Sequence, residues 1–414
     1  MNETGYYLKI KQGSSKYISP WKVSNIMEDL AGEYYKKYLL DELTQEMISA
    51  NENIVPIVFE NSFDLYQKYS KLKNFNINDH EDIENIYYLG NMIGFQPNIK
   101  ILKLNAIFSV HRAIYKILNK SEILMERNKI WEYVESNFND ALEINFDKIR
   151  SYLDSLLNIT SDSIERTEST IVQNNITLRE RCEKVINKKL SEFDKIKNHE
   201  VDFTVINSIK DKHELEEYLK DDSKRNLYNK YYGAFTSIFK RFKRPIIGVL
   251  NVENGELKIL AQEFIKEELQ DHNDNRLEVV DLSRNSPTAM TYIISYLAVS
   301  WITYIFVSGL DDKKVKKQRE LELQNIELEP NEELIQLEQT LERLRASEQN
   351  NTNLFLENVV QLDDYKKVKE LNIINNHINS STKETLDRNE FLNSNVEIMP
   401  IEQTDEDIDN EDEV

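Results

Sequence analysis

Apolar residues in the first 97 positions occur in short runs of strand length around one long stretch with helical spacing. Ser19 and Pro20 are typical of an N-cap and a first helical residue, and the helical spacing continues from there toward Met47. The strand-length runs lie at Tyr6–Lys11, Asn53–Glu60 and Ile86–Leu89. This pattern predicts an N-terminal α/β domain over residues 1–97.

Residues 98–200 change to a helical period, with charged side chains opposite an apolar face. The apolar positions that recur on one face are Leu178, Cys182, Val185, Leu190 and Phe193. The spacing predicts an α-helical middle whose apolar face packs on its neighbours, with a free-standing coiled coil as the alternative.

Residues 201–284 show strand and helix patterns in the order β-α-β-β-α-β, which predicts a ferredoxin-like module. The Asn254-Gly255 pair between alternating apolar residues indicates a hairpin with a type I′ turn. The predicted strands are Asp202–Ile206, Ile246–Val252, Glu256–Leu260 and Leu277–Leu282, and the predicted helices are His213–Phe242 and Ala261–Leu269.

The segment from Asn285 to Leu310 has no charged side chain. Ser286 and Pro287 predict the start of a helix, and the 21 residues from Met290 to Leu310 are enough to cross a hydrocarbon core of about 30 Å. Polar-capable residues recur every fourth position opposite apolar ones, and the candidate membrane or oligomer contacts are Tyr292, Tyr296, Leu297, Ser300, Trp301, Tyr304 and Ser308.

Three arrangements of this helix stay open: burial in a protein core or oligomer, a hairpin that does not cross, and storage in the fold with release into a membrane on activation. A permanent single span is disfavoured, because the positive-inside rule would place residues 1–284 outside without an export signal. The basic cluster that follows is a candidate contact for anionic lipid or phosphate and consists of Lys313, Lys314, Lys316 and Lys317.

Beyond this cluster the chain changes from leucine spacing to acidic composition. Within residues 311–348 a 3-4-3 spacing predicts a short coiled coil through Leu334, Leu337, Leu341 and Leu344. Residues 349–414 contain 12 Asn and have 16 Asp and Glu against 5 Lys and Arg, which predicts a disordered acidic tail. The predicted fold class is therefore helix-rich α+β.

The whole chain has a formal net charge of −21, which disfavours nucleic acid as a partner, because phosphate binding needs clustered Lys and Arg. The single cysteine, Cys182, excludes an intrachain disulfide. The N-terminus lacks the basic and apolar regions of a secretory signal. The expected location is the cytoplasm, with membrane association on activation.

Candidate chemistry is sparse. The sequence has no phosphate loop, HExxH, GxSxG or CxxC motif, so we assign no catalytic, cofactor or metal residue. The acidic clusters Asp79–Asp82 and Asp271–Asp274 are typical of solvated turns. A run of cations and aromatics offers a second phosphate contact through Lys240, Arg241, Lys243 and Arg244, with termination of a helix before Pro245 as the alternative.

These features predict a non-enzymatic intracellular sensor or effector whose uncharged helix, residues 288–310, drives oligomerisation or conditional membrane association. The organisation resembles that of membrane-acting effectors of bacterial conflict systems, although no motif indicates a family. The expected partners are a second copy of the chain, another protein and a membrane. Two alternatives stay open: a soluble structural or scaffold subunit of a phage or mobile element, and a metal-dependent enzyme with carboxylates such as Asp271 and Asp274.

Overall fold

The structure, a computed structural model, describes residues 6–11, 19–49, 54–62, 73–126, 129–137, 143–159, 170–262, 278–283, 289–294, 296–323, 332–348, 354–389, 391 and 396–400. The strands are β1 (Tyr6–Lys11), β2 (Ile54–Ser62), β3 (Phe75–Asn76), β4 (Met92–Gly94), β5 (Pro245–Asn251), β6 (Glu256–Ile259), β7 (Glu278–Ser283), β8 (Ala289–Ile294) and β9 (Val396–Pro400). The helices are α1 (Pro20–Ser49), α2 (His80–Leu89), α3 (Ile99–Asn119), α4 (Ile130–Glu135), α5 (Asp147–Leu156), α6 (Thr170–Lys197), α7 (Glu200–Ser208), α8 (Lys212–Tyr218), α9 (Asp222–Tyr231), α10 (Ala234–Arg241), α11 (Tyr296–Leu323), α12 (Glu332–Glu348), α13 (Leu354–Val360) and α14 (Tyr365–Arg388).

The chain divides into two compact units. Unit 1 takes its residues from Met1–Glu42, Ala261–Gln361 and Asn372–Val414, and unit 2 from Leu43–Leu260 and Leu362–Leu371. The helix-rich α+β class is confirmed. The start of α1 is confirmed as well, since Ser19 Oγ accepts a hydrogen bond from the Lys22 backbone N–H at 3.3 Å.

Unit 2 contains a five-stranded antiparallel sheet with the order β3-β6-β5-β2-β4. Residues 56–59 of β2 and 245–250 of β5 are buried, because these central strands are covered on both faces. Helix α10 packs against β2 and β4, and α2 packs against β2. Within the described residues of 98–200 the regular elements are the helices α3 to α6 and the start of α7. Helix α3 packs against α6, and Cys182 of α6 is buried.

The predicted hairpin is formed by β5 and β6, but its turn is not type I′. Gly255 has φ 78°, whereas Asn254 keeps a negative φ. The Gly255 N–H donates to the Asn251 carbonyl at 2.9 Å, so the turn is longer than two residues. A longer hairpin loop needs the left-handed conformation only at its last residue, which explains why a single glycine suffices.

Two predicted strands of this unit are helical. Ile86–Leu89 lies in α2, and residues 202–206 lie in α7. The buried side chains of α2 include Ile83 and Ile86, and those of α7 are Phe203 and Ile206, so both helices have the three-residue spacing of a helix face. A segment of four or five residues is too short to distinguish the two-residue period of a strand from the period of a helix, which is why the prediction was wrong.

The ferredoxin-like arrangement is also wrong in its helices and pairing. The predicted helix over residues 213–242 is divided into α8, α9 and α10. The first break lies at Asp221, which accepts hydrogen bonds from backbone N–H groups two and three residues later and so caps α9. The second lies at Gly233, the N-cap of α10, whose φ of 86° is left-handed. Strand β7, the predicted last strand of the module, pairs with β8 in the sheet of unit 1.

The sheet of unit 1 is antiparallel and has the order β7-β8-β1-β9. Strand β8 comes from the segment predicted as one uncharged helix, and α11 begins only at Tyr296. The predicted helix start at Ser286-Pro287 lies outside the described residues. The prediction was wrong over residues 289–294 because these apolar residues meet β1 and β7, which supply the hydrogen bonds of a central strand.

The acidic tail also departs from the prediction of disorder. Residues 354–360 and 365–388 form α13 and α14, and β9 adds residues 396–400 to the sheet of unit 1. In α14 the residues Leu371, Ile374 and Ile378 recur at helical spacing and are fully buried. This apolar face packs despite the acidic composition, because burial depends on where the few apolar residues lie. Residues 401–414 lie outside the described part.

Candidate functional site

A cavity of about 180 Å³ in unit 2, here called the lysine cavity, is the candidate site. It lies between the first turns of α3, the end of α4 and two turns next to the sheet. Its apolar lining is Ile77, Leu104, Ile107, Val134 and Val252, and its other lining residues are Asn78, Lys100, Lys103, Asn137, Glu253 and Gly255. Concave apolar sites with a few convergent polar groups are typical of ligand binding.

Helix α3 supplies one wall of the cavity. Its N-cap is Asn98, whose Oδ1 accepts from the backbone N–H groups of Lys100 at 3.0 Å and Ile101 at 3.3 Å. The cap fixes where the helix begins, and positions three and four apart then share a face. Lys100, Lys103, Leu104 and Ile107 therefore reach the same cavity from successive turns.

Two turns next to the sheet supply the opposite wall. Asn78 Nδ2 donates to the Asn254 carbonyl at 3.1 Å, and the Ile77 N–H donates to the Gly255 carbonyl at 2.9 Å. A Cβ on Gly255 would lie 2.4 Å from Asn78 Nδ2, which is closer than any real contact. The Asn78 side chain would have to shift to make room for a Cβ, and the φ of 78° itself favours glycine at this position.

Lys103 is the charged group at the floor of the cavity. It is only 6% exposed, and its Nζ donates to the Asn137 carbonyl at 2.7 Å. Asn137 is itself fixed, because its Nδ2 donates to the Tyr133 carbonyl at 2.7 Å and its Oδ1 accepts from the Asn145 N–H at 2.7 Å. The Asn137 carbonyl therefore helps to hold the ammonium group in place.

The mouth of the cavity carries the remaining charges. Lys100 is exposed, and its Nζ donates to the Val252 carbonyl at 2.9 Å. Glu253 and Asn78 are exposed beside it. Among the lining residues that the structure describes, two side chains are ammonium groups and one is a carboxylate, whereas the whole chain has a net charge of −21. Such a local reversal of sign concentrates anions.

The predicted contacts of the uncharged helix lie in unit 1 and are divided between two elements. Tyr292 lies in β8, while Tyr296, Leu297 and Ser300 lie in the first turns of α11. Trp301 is 5% exposed, donates from Nε1 to Asn379 Oδ1 at 3.0 Å and stacks on Tyr34 at 6.2 Å. Tyr304 and Ser308 are half-buried.

Helix α11 is covered by protein on more than one face. Its buried residues follow one another almost without interruption and are Val299, Trp301, Ile302, Thr303, Ile305, Phe306, Val307 and Leu310. An apolar helix buried on several faces is typical of a protein core. Among the helices in the described part of the chain, none is both long enough and apolar enough to cross a membrane.

The predicted basic cluster after this segment is engaged within unit 1. Lys313 pairs with Asp387 at 2.5 Å, and Lys314 pairs with Glu338 of α12 at 2.6 Å. Lys316 is exposed, and Lys317 is half-buried. Helix α12 packs on α11, and of the predicted coiled-coil leucines Leu341 is buried and Leu337 is half-buried.

The second basic run lies at the end of α10 and does not line the cavity. Lys240 and Arg241 occupy the last helical turn, where cations favourably oppose the helix dipole. The Arg241 guanidinium lies over the Phe242 ring at 4.6 Å. Lys243 is exposed and Arg244 half-buried just before β5, as the helix-termination alternative expects.

The first acidic cluster stabilises α2. Asp79 is its N-cap and accepts from the backbone N–H groups of Glu81 and Asp82. Asp82 in turn accepts from the Asn76 N–H at 2.8 Å. Within the residues that the structure describes, no three His, Cys, Asp or Glu side chains come together as a metal site would require. The second cluster, Asp271–Asp274, lies outside those residues.

Sequence reasoning missed the lysine cavity, although one signal was present. Lys103 lies between Ile101 and Leu104 on an apolar helix face, where a cation is out of place unless it has a polar partner. Its partner Asn137 is 34 positions away, at the end of a different helix. The convergence therefore could not be found from local spacing.

Comparison with known proteins gives no match: no protein-family model, no curated protein and no solved structure is significantly similar to this chain.

Proposed function

We propose that the chain is a non-catalytic sensor-type protein and that the lysine cavity of unit 2 binds a compact anionic ligand. The observation that carries this proposal is the Lys103 ammonium, 6% exposed at the floor of a cavity whose mouth bears a second lysine. Coulomb attraction between opposite charges is several times stronger in such a partly desolvated site than in water. An anion entering the cavity would also make charge-assisted hydrogen bonds.

The test is a calorimetric titration of the full chain with acetate and with inorganic phosphate. Lys103→Met should weaken binding at least tenfold, because it removes the buried charge and keeps the length of the side chain. Lys116→Met is the matched control, since Lys116 is an exposed lysine in the last turn of the same helix. If no anion tested binds the native chain, or if Lys103→Met binds as well as the control, the proposal is wrong.

Lys100→Met is a second variant, which keeps the proposal testable if Lys103→Met does not fold. Lys100 is exposed, so its replacement should leave the unit folded. We expect a smaller loss of affinity than for Lys103→Met, because its charge is more strongly screened by water and salt.

We propose in addition that α11 is the effector element, acting through self-association or membrane association only when it is released. Most of its described uncharged residues up to Leu310 are buried in unit 1, and Lys313 and Lys314 are paired with carboxylates. Release would have to open these pairs. Asp387→Asn with Glu338→Gln should therefore increase binding to anionic vesicles, whereas Lys316→Glu with Lys317→Glu should reduce it.

Fractionation of cells with a carbonate wash measures the membrane part of this proposal. Leu297→Arg should abolish retention in the washed pellet, because it places a charge in the segment that would insert. Light scattering of the purified chain measures self-association. If the chain with Asp387→Asn and Glu338→Gln shows no retention and no self-association, the effector proposal is contradicted.

A structural or scaffold subunit is the second candidate function. The coverage of α11 inside unit 1 favours it, since a scaffold needs this helix only as a core element. Amide hydrogen exchange separates the two functions: a scaffold keeps the α11 amides protected under every condition, whereas an effector exposes them when the carboxylates at 338 and 387 are removed.

A further inference from the structure

Resting on the proposed function, we infer that the ligand of the lysine cavity is a short aliphatic monocarboxylate of four to six carbon atoms. The lining joins one buried ammonium to a continuous apolar wall, and each part recognises a different part of such a molecule. The apolar wall decides between this class and a small inorganic anion.

The apolar wall is buried to the same depth as the ammonium. Leu104 and Ile107 follow Lys103 on α3, and Val134 faces them from α4, with all three side chains buried. Positions i and i+4 of a helix place their Cβ atoms about 5–6 Å apart. A carboxylate at Lys103 Nζ would therefore lie a few bonds from the wall formed by Ile107 and Val134.

The volume also fits an organic anion better than phosphate. A cavity of about 180 Å³ is many times larger than the space that a single water molecule needs. Inorganic phosphate would fill only part of this space and would leave the wall in contact with water. A carboxylate with an aliphatic body would remove that wall from water as well.

The charges at the mouth argue for a single anionic group. Glu253 lies at the mouth beside Lys100, so the two charges there have opposite sign. A second carboxylate on the ligand would meet Glu253 at this level and would be repelled. A monocarboxylate leaves only its apolar end, or a small polar group, facing the mouth.

A chain-length series in calorimetry tests this inference. Affinity should rise about fourfold for each methylene that the wall covers, so 3-methylbutanoate should bind roughly 50-fold more tightly than acetate. Butanedioate should bind more weakly than butanoate. Valine, which adds an ammonium group to the carboxylate and aliphatic body of 3-methylbutanoate, separates a free acid from an amino acid as the source; binding of either at the expected affinity supports the class.

Two valine variants locate the effect. Val134→Thr replaces a wall methyl by a hydroxyl and should flatten the chain-length series. Val110→Thr is the matched control, because Val110 is a fully buried valine of α3 outside the lining, and it should keep the full increase. If Val134→Thr does not fold, Lys103→Met replaces it and should abolish binding at every chain length.

The possible results separate this inference from the proposed function. Acetate and phosphate binding with no increase along the series would overturn the inference and leave the anion site in place. Failure of every anion to bind would remove the proposed function itself. An equal increase in the native chain and in Val134→Thr would place the aliphatic body elsewhere and so contradict the inference.

Discussion

Lys37 lies at the centre of a buried polar layer in unit 1, and its replacement by Met gives a worked prediction. Its Nζ lies 3.0 Å from Asp41 Oδ1, 3.4 Å from Asn375 Oδ1 and 3.9 Å from the centre of the Phe355 ring. Lys37 itself is 7% exposed. Burial lowers the pKa of Lys37 and raises that of Asp41, while the attraction between the two groups opposes both changes.

The expected loss of stability follows from the burial of both partners. Removing one member of a buried ion pair leaves the other charge without compensation, which costs about 3–5 kcal/mol. The Asp41 side chain keeps 14% exposure, so Lys37→Met should cost about 3 kcal/mol, at the lower end. Lys37→Met combined with Asp41→Asn removes both charges and should cost only about 1–2 kcal/mol, less than Lys37→Met alone.

Urea unfolding followed by Trp301 fluorescence measures this loss in unit 1. Trp301 stacks on Tyr34 in that unit, and Trp21→Phe with Trp131→Phe leaves it as the single reporter. A local reporter is needed because a chain of two units need not unfold in one step. Lys22→Met, at an exposed lysine of α1, should change stability by less than about 0.5 kcal/mol. Additive effects of Lys37→Met and Asp41→Asn would refute the reasoning.

Two further predictions concern unit 2. Burial, helped by the nearby Arg112 charge, lowers the pKa of His111 to about 4, so the folded unit prefers neutral His111 and loses about 3 kcal/mol of stability as pH falls from 6.5 to 4. Urea unfolding at pH 7 and pH 4.5 should show this loss of stability in the native chain and a smaller loss in His111→Gln. An equal change in the free energy of unfolding between the two pH values in both chains would count against this prediction. Gly255→Ala should cost about 2 kcal/mol and weaken anion binding, because it adds a clash with Asn78 to a φ of 78°. Gly233→Ala, with φ 86° and open space around it, should cost about 1 kcal/mol and leave binding unchanged in the same titration.

Local signals determined several elements of this protein without help from its tertiary structure. Ser19-Pro20 fixed the start of α1, and the alternation around Gly255 predicted the β5–β6 hairpin. Asp211 and Asp221 are residues of the type that caps helices, so these caps could also have been predicted from the sequence, although they were not. In each case the deciding hydrogen bonds join residues within a few positions, so a short sequence window contains the whole cause.

The tertiary structure alone decided the rest. The apolar run 289–294 is a strand because β1, nearly 300 positions earlier, pairs with it through Tyr6↔Ile294 and its neighbours. Residues 365–388 are an ordered helix because their apolar face is buried in spite of an acidic surrounding sequence. The lysine cavity exists because Lys103, Asn137 and Gly255 come from three distant parts of the chain. Long-range pairing and burial depend on which surfaces meet in space, and a local pattern of residues does not contain that information.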